Sequence, residues 1–131
     1  MSIIRIACAV ILDDSGRVLL VRKHDSNHFI QPGGKIEASE RPLDALEREI
    51  REELGVTLKG ALFLGRFEDV AVNERESVVV AEVFTARIHG TPTPGAEIAE
   101  IGWFLPRGPW PRLIAPLTAR GVFPVLKGML V

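Results

Sequence analysis

Glu49, Glu52 and Glu53 crowd three carboxylates into five consecutive residues. On a helical wheel at about 100° per residue they share an arc of about 100°. Like charges three or four residues apart cost an isolated helix roughly 0.2–0.5 kcal/mol per pair. A hard divalent cation removes that repulsion, because Mg²⁺ and Mn²⁺ prefer carboxylate oxygens and water. The chemistry this arrangement suits is metal-assisted hydrolysis. A second reading is a solvated charged face. Glu47 with Arg51 and Asp44 with Arg48 have the i,i+4 spacing of helical ion pairs.

The carrier of these acids reads as a helix over Pro42 to Leu54. Leu43, Leu46, Ile50 and Leu54 fall within about 80° and form a stripe that must face a core. Glu53 lies at the border of the two faces, where partial shielding from water is expected. Ala45, one turn before Glu49, has a small side chain that leaves room for something to bind. Ser39 suits the N-cap and Pro42 the first turn. Gly55 suits the left-handed residue after the helix.

Around it, Ile3 to Leu12 is rich in β-branched residues and reads as a buried strand. A turn cluster, Asp13, Asp14, Ser15 and Gly16, leads into Arg17 to Arg22, so a hairpin is expected. Gln31, Pro32, Gly33 and Gly34 form a backbone-dominated turn. Ala61 to Ala71 and Ser77 to Ile88 read as strands joined near Asn73 and Glu74, and Ile98 to Leu105 as a short one. Past Pro111 the pattern is helical but broken by Pro116, Gly121 and Pro124, which predicts one or two short helices. This order points to an α+β fold with a mixed β-sheet and helices on its faces.

The chain has 131 residues, which suits one domain over 1–131. Hydrophobic residues make up 47%, which argues against disorder. A net charge of −1 gives no surface for coating a nucleic-acid polymer and no basic membrane anchor. Ile3 to Leu12 contains Arg5 and is too short to span a bilayer. The single cysteine, Cys8, cannot make an intrachain disulfide, and a cytoplasmic location is expected.

Gly34, Glu40, Arg48, Glu49, Ile50, Glu52, Glu53, Gly55 and Val56 stand at the spacing G-x5-E-x7-R-E-U-x-E-E-x-G-U, with U aliphatic. These nine positions across residues 34–56 resemble the box of the Nudix (MutT-like) hydrolases. Gly33, Lys35 and Glu37 resemble the family too. The resemblance implies an α/β/α sandwich and hydrolysis of a nucleoside diphosphate linked to another group. It implies that Glu49, Glu52 and Glu53 bind Mg²⁺ or Mn²⁺, with the Gly33 carbonyl as a further ligand. Arg48 and Glu40 are similar to the family's supporting pair.

Pyrophosphate hydrolysis needs the phosphate charge neutralised and a carboxylate to take a proton from water. Glu49 or Glu52 suits that role, as do the loop acids Glu97 and Glu100, whose other reading is as solvated side chains. Glu97 is also a candidate metal ligand. Arg22 and Lys23 at a strand end, and Lys35 in the box loop, are candidates for substrate phosphates. Phe29 is a candidate for stacking on a base, or a packing residue. Trp103 and Phe104 alternate, so one should be buried, and Trp103 reads as structural. His24 and His28 read as exposed loop residues. The proline that marks ADP-ribose hydrolases after the box is missing; Asp69, Val70 and Ala71 occupy that region. The chain has no tyrosine, the mark of one type of dinucleoside polyphosphate hydrolase. The remaining expectation is a (d)NTP cleaved to NMP and pyrophosphate. A nucleotide sugar or a non-catalytic nucleotide sensor are the alternatives. The partner expected is a small-molecule nucleotide, with the protein a monomer or a homodimer.

Overall fold

A computed structural model describes residues 2–72 and 74–129. The expected turn residue Asn73 lies outside the described residues. The strands are β1 (Ser2–Ile11), β2 (Val18–Lys23), β3 (His28–Phe29), β4 (Gly33–Lys35), β5 (Thr57–Val70), β6 (Ser77–His89), β7 (Ile98–Phe104) and β8 (Leu113–Ile114). Helix α1 (Pro42–Leu54) lies between β4 and β5; a π-helical segment (Leu117–Val122) runs directly into α2 (Phe123–Met129).

The main sheet has the order β4-β1-β6-β5, and β2-β7 and β3-β8 form two smaller ladders. It is mixed, because β1 runs parallel to β6 and antiparallel to β4. Strand alternation sends side chains to two separate cores. Cys8, Val10, Val18, Leu20, Ala81 and Val83 pack with Leu117, Val122, Phe123 and Leu126 on one face. Ala7, Ala9, Ile11, Leu19 and Val21 pack with Leu46, Ile50 and Leu54 of α1 on the other. The layering is the expected α/β/α sandwich.

Several local expectations are corrected. β1 and β2 are not a hairpin: both edges of β1 are taken by β4 and β6, and β2 pairs antiparallel with β7. One bridge, Leu12 to Val18, joins them. Ser39 does not cap α1. It sits at φ +69°, and Arg41 holds the cap position without a side-chain bond, Pro42 having no N–H to satisfy. Ala45 is fully buried rather than beside an open space. Asp44 pairs with Arg41, and Arg48 reaches Glu40 instead. β5 begins four residues before the expected Ala61, since Gly60 (φ +61°) lies where the register with β6 shifts, a bulge rather than a chain break. Gly55, at φ +67°, closes α1 as expected.

Candidate active site

Strand β4 forms one wall of the site. Gly33 pairs with Cys8 on β1 at φ +148°, a conformation open to glycine. A Cβ there would collide with the Ala7 carbonyl. The backbone therefore comes close enough to α1 for the Gly33 N–H to donate to Glu53 Oε1 at 2.9 Å. Next to it, the Gly34 Cα faces the Glu49 carboxylate, and a Cβ would occupy that carboxylate's place.

Glu53 is 4% exposed, the border position on the wheel having become interior. Burial pushes its carboxyl up to about 8, reinforced by the charges of Glu49 and Glu97 and opposed by the Gly33 N–H and by Lys23. Glu52 stands one residue away with its side chain 60% exposed.

Arg48 organises the acids from the other side. Its Nε and Nη2 donate to the two oxygens of Glu40 at 2.9 Å each, a two-pronged pairing. Nη1 donates to Glu49 Oε1 at 2.8 Å, and Nη2 also donates to the Lys35 carbonyl at 3.2 Å. The Arg48 bonds and the Glu37 N–H hold the Glu40 carboxyl down at about 2. One guanidinium thus ties the box loop to the helix.

The donor set fits a hard divalent cation. All candidate ligands are oxygens, and the glycine cradle beside Glu49 admits no side chain. Among the described residues no three His, Cys, Asp or Glu side chains already converge as a metal cage. Glu49 is turned toward Arg48 and Glu53 toward Gly33.

The two loop acids separate. Glu97 lies in an exposed turn whose carbonyl accepts from the His24 N–H at 3.2 Å, and its charge reaches Glu53. Glu100 is instead clamped by Arg112 and Arg22, which hold its carboxyl down at about 2. That occupation removes Glu100 from the candidates for a base.

Arg22, a candidate phosphate contact, is hydrogen-bonded within the protein. Its guanidinium is spent on Glu100 and on the Lys23 and Ser26 carbonyls. Lys23, on the opposite side of the strand, lines a cavity with Lys35. Phe29 has the surroundings of its packing reading. It is 2% exposed, packed against Phe104 at 4.9 Å, with Arg112 4.9 Å from its ring centre. Of the alternating pair, Phe104 is the buried one, and Trp103 packs half-buried against the α1 core. His24 is exposed and His28 half-buried. The Trp110 N–H donates to the Leu105 carbonyl.

A feature the sequence reading missed is the cavity itself, ≈ 170 Å³, between the main sheet and the π-helical segment. Ile4, Ile6, Cys8 and Val79 give it an apolar floor, and Gly33 and Gly34 give it a wall shared with the acidic cluster. Gln31 and Thr118 line it and are hydrogen-bonded to each other. The available signal was a lone amide, Gln31, between Ile30 and Pro32 at the end of an apolar stretch. Its partner lies 87 residues away, where no local pattern reaches.

A family model described as the NUDIX domain matches residues 3–122. An 8-oxo-dGTP diphosphatase of Haemophilus influenzae is 36% identical over 70 residues, covering 50% of this chain and 52% of that protein. An RNA pyrophosphohydrolase of Halorhodospira halophila is 41% identical over 56 residues, covering 43% of this chain and 31% of that protein. The matches thus span about half or less of these relatives' length. The MutT NUDIX hydrolase of Burkholderia pseudomallei has the same fold, with a TM-score of 0.79 at 24% identity over 100% of both chains. No described helix is long and apolar enough to cross a membrane.

Proposed function

This chain belongs to the Nudix (MutT-like) hydrolase family, and from that premise we propose that it is a divalent-metal-dependent pyrophosphohydrolase of a nucleoside triphosphate, releasing NMP and pyrophosphate. The observation that carries the reading is the pairing of the acidic helix with the glycine wall: Glu53 is held by the Gly33 N–H, and Glu49 lies against Gly34. The names of both relatives, a diphosphatase of a nucleotide and a pyrophosphohydrolase, support the reaction class.

Glu49, Glu52 and Glu53 would hold the Mg²⁺ or Mn²⁺, with the Gly33 carbonyl and Glu97 as further oxygen donors. When bound there, the cation would neutralise charge on the phosphate chain and acidify water. The chain's own residues do the positioning. Arg48 fixes the Glu49 carboxylate and, through Glu40, the loop that presents Gly33 and Gly34. Such outer supports govern how well ligands are oriented. Lys23 and Lys35, at the cavity edge, offset phosphate charge. Exposed Glu52 is the carboxylate on the helix best placed to take a proton from water, and Glu49 or Glu97 are the other groups with access. The retention of all three helix glutamates opposes the sensor alternative.

The test is a panel of (d)NTPs, nucleotide sugars and an RNA, incubated with Mg²⁺ and assayed for pyrophosphate and phosphate. Pyrophosphate release from a nucleoside triphosphate is expected. Turnover confined to nucleotide sugars would replace the substrate assignment, and binding without turnover would favour the sensor.

A further inference from the structure

Helix α1 ends in an unfavourable place for its acids. Glu52 and Glu53 lie in its last turn. There the final carbonyls have no partner within the helix, and the dipole presents its negative end. Gly55 meets one of these carbonyls, its N–H donating to Arg51 at 3.0 Å. Two more are met from across the fold, by the loop between β6 and β7. The Thr93 N–H donates to the Leu54 carbonyl at 3.0 Å, and the Gly95 N–H to the Glu53 carbonyl at 2.7 Å. Resting on the reading of Glu97 as a member of the cation site, we propose that Gly95 is a positioning residue. It seats this loop on the carbonyls that end α1, and so sets where Glu97 stands relative to Glu53.

Space requires a glycine at 95. A Cβ there would collide with the Glu52 carbonyl oxygen and stand 3.2 Å from that of Glu53. Both are backbone atoms of a packed helix, so the loop must give way instead. From this anchor the chain reaches Glu97 in two residues. The Gly95 carbonyl accepts from the Ile98 N–H at 3.1 Å, which closes a four-residue turn. Ile98 is buried in the α1 core, and the Glu97 carbonyl accepts from the His24 N–H at 3.2 Å. Ala96 and Glu97 are exposed, so the ends of the turn, rather than packing of its tip, set their place. The charge of Glu97 reaches Glu53 from there. A shift of the anchor moves Glu97 against the helix acids, and a misplacement of about 1 Å can cost on the order of 100-fold in rate.

The experiment compares the wild type with Gly95→Ala, Glu97→Gln, the double variant and Ala96→Ser, a change at the exposed neighbour. Thermal melts establish that each is folded. Two quantities are then read: Mn²⁺ affinity by calorimetry, and kcat/KM across four dNTPs. Gly95→Ala and Glu97→Gln are each expected to lose roughly 10–100-fold in affinity or kcat/KM. Ala96→Ser is expected to match the wild type. The double variant is expected to lose no more than the larger single loss, because both changes act through one carboxylate. A glycine that only stabilises the fold would give losses that multiply. Multiplied losses, or wild-type values in Gly95→Ala or Glu97→Gln, overturn the inference. Should Gly95→Ala not fold, amide exchange in the wild type decides. Exchange of the Gly95 N–H is expected to slow at least about tenfold on adding Mg²⁺, and equal rates overturn the inference. Absence of turnover on every dNTP with Mn²⁺ binding intact refutes the hydrolase reading, and the affinities of the four variants then decide this inference by the same criterion. Absence of Mn²⁺ binding in the wild type overturns both.

Discussion

Glu53 of helix α1 and Gly33 of strand β4 are joined by a hydrogen bond of 2.9 Å from the glycine N–H to the carboxylate, and both residues are buried. The bond needs the backbone to pass close under the helix, and a positive φ with no Cβ makes that approach possible. A Gly33→Ala variant must push against the Ala7 carbonyl, which is backbone and cannot swing away. A loss of stability of roughly 2–4 kcal/mol is expected, from strain plus overpacking. Urea denaturation of the two proteins checks it, and an unchanged midpoint would contradict the assigned close approach.

Gly34 makes a contrasting prediction. A Cβ there meets the end of the flexible Glu49 side chain, which can move aside. Gly34→Ala is therefore expected to keep its melting temperature within about 2–4 °C, since the strain is released at under about 1 kcal/mol. Its kcat is expected to fall, because Glu49 is displaced from the cluster. A variant with full activity would show that the position of Glu49 is unimportant.

Arg48 tests the support role. Lysine preserves the charge but cannot donate to both oxygens of Glu40 while also holding Glu49. Arg48→Lys is expected to lose roughly 10–100-fold in metal affinity or kcat/KM. Metal titration followed by steady-state kinetics measures both. Wild-type values would mean that the fork geometry has no role.

The pair of arginines on Glu100 predicts a pH effect away from the site. Its carboxyl is held at about 2, below the ordinary carboxylate value near 4.5. A depressed carboxylate contributes stability that is present above about 4.5 and lost as pH falls toward 2. The stability gap between wild type and Glu100→Gln is thus expected to be open at neutral pH and to close across that acid window. Urea midpoints at several pH values read it. A gap independent of pH would remove the charge from the explanation.

The helix, its apolar stripe, its glycine stop and the strand β1, buried in its second half, were legible, because each rests on local periodicity or on one residue's conformational habit. Glu53's border position on the wheel signalled its shielding. The Arg48–Glu40 pair was legible only through the box spacing, since local i,i+4 logic pointed to Asp44. Strand partners were not legible. The Asp13–Gly16 turn suggests a hairpin, but pairing is settled by which edges remain free, and β1 has both taken. For a related reason, the choice between the two readings of Arg22 and of Phe29 was not legible. Strand alternation tells that neighbours face opposite sides, but it does not tell which side holds the cleft. The Gln31–Thr118 contact needed the whole fold, and no spacing encodes it.

The central claim is that the α1 carboxylates hold the catalytic cation. The most direct measurement is Mn²⁺ or Mg²⁺ titration by calorimetry of wild type, Glu52→Gln and Glu53→Gln, paired with dNTP turnover and a thermal melt. A folded variant that has lost cation binding, and at least about 100-fold in kcat, is the expected result, corresponding to several kcal/mol of charge stabilisation. Folded variants that bind the cation and turn over substrate as the wild type does would contradict the account.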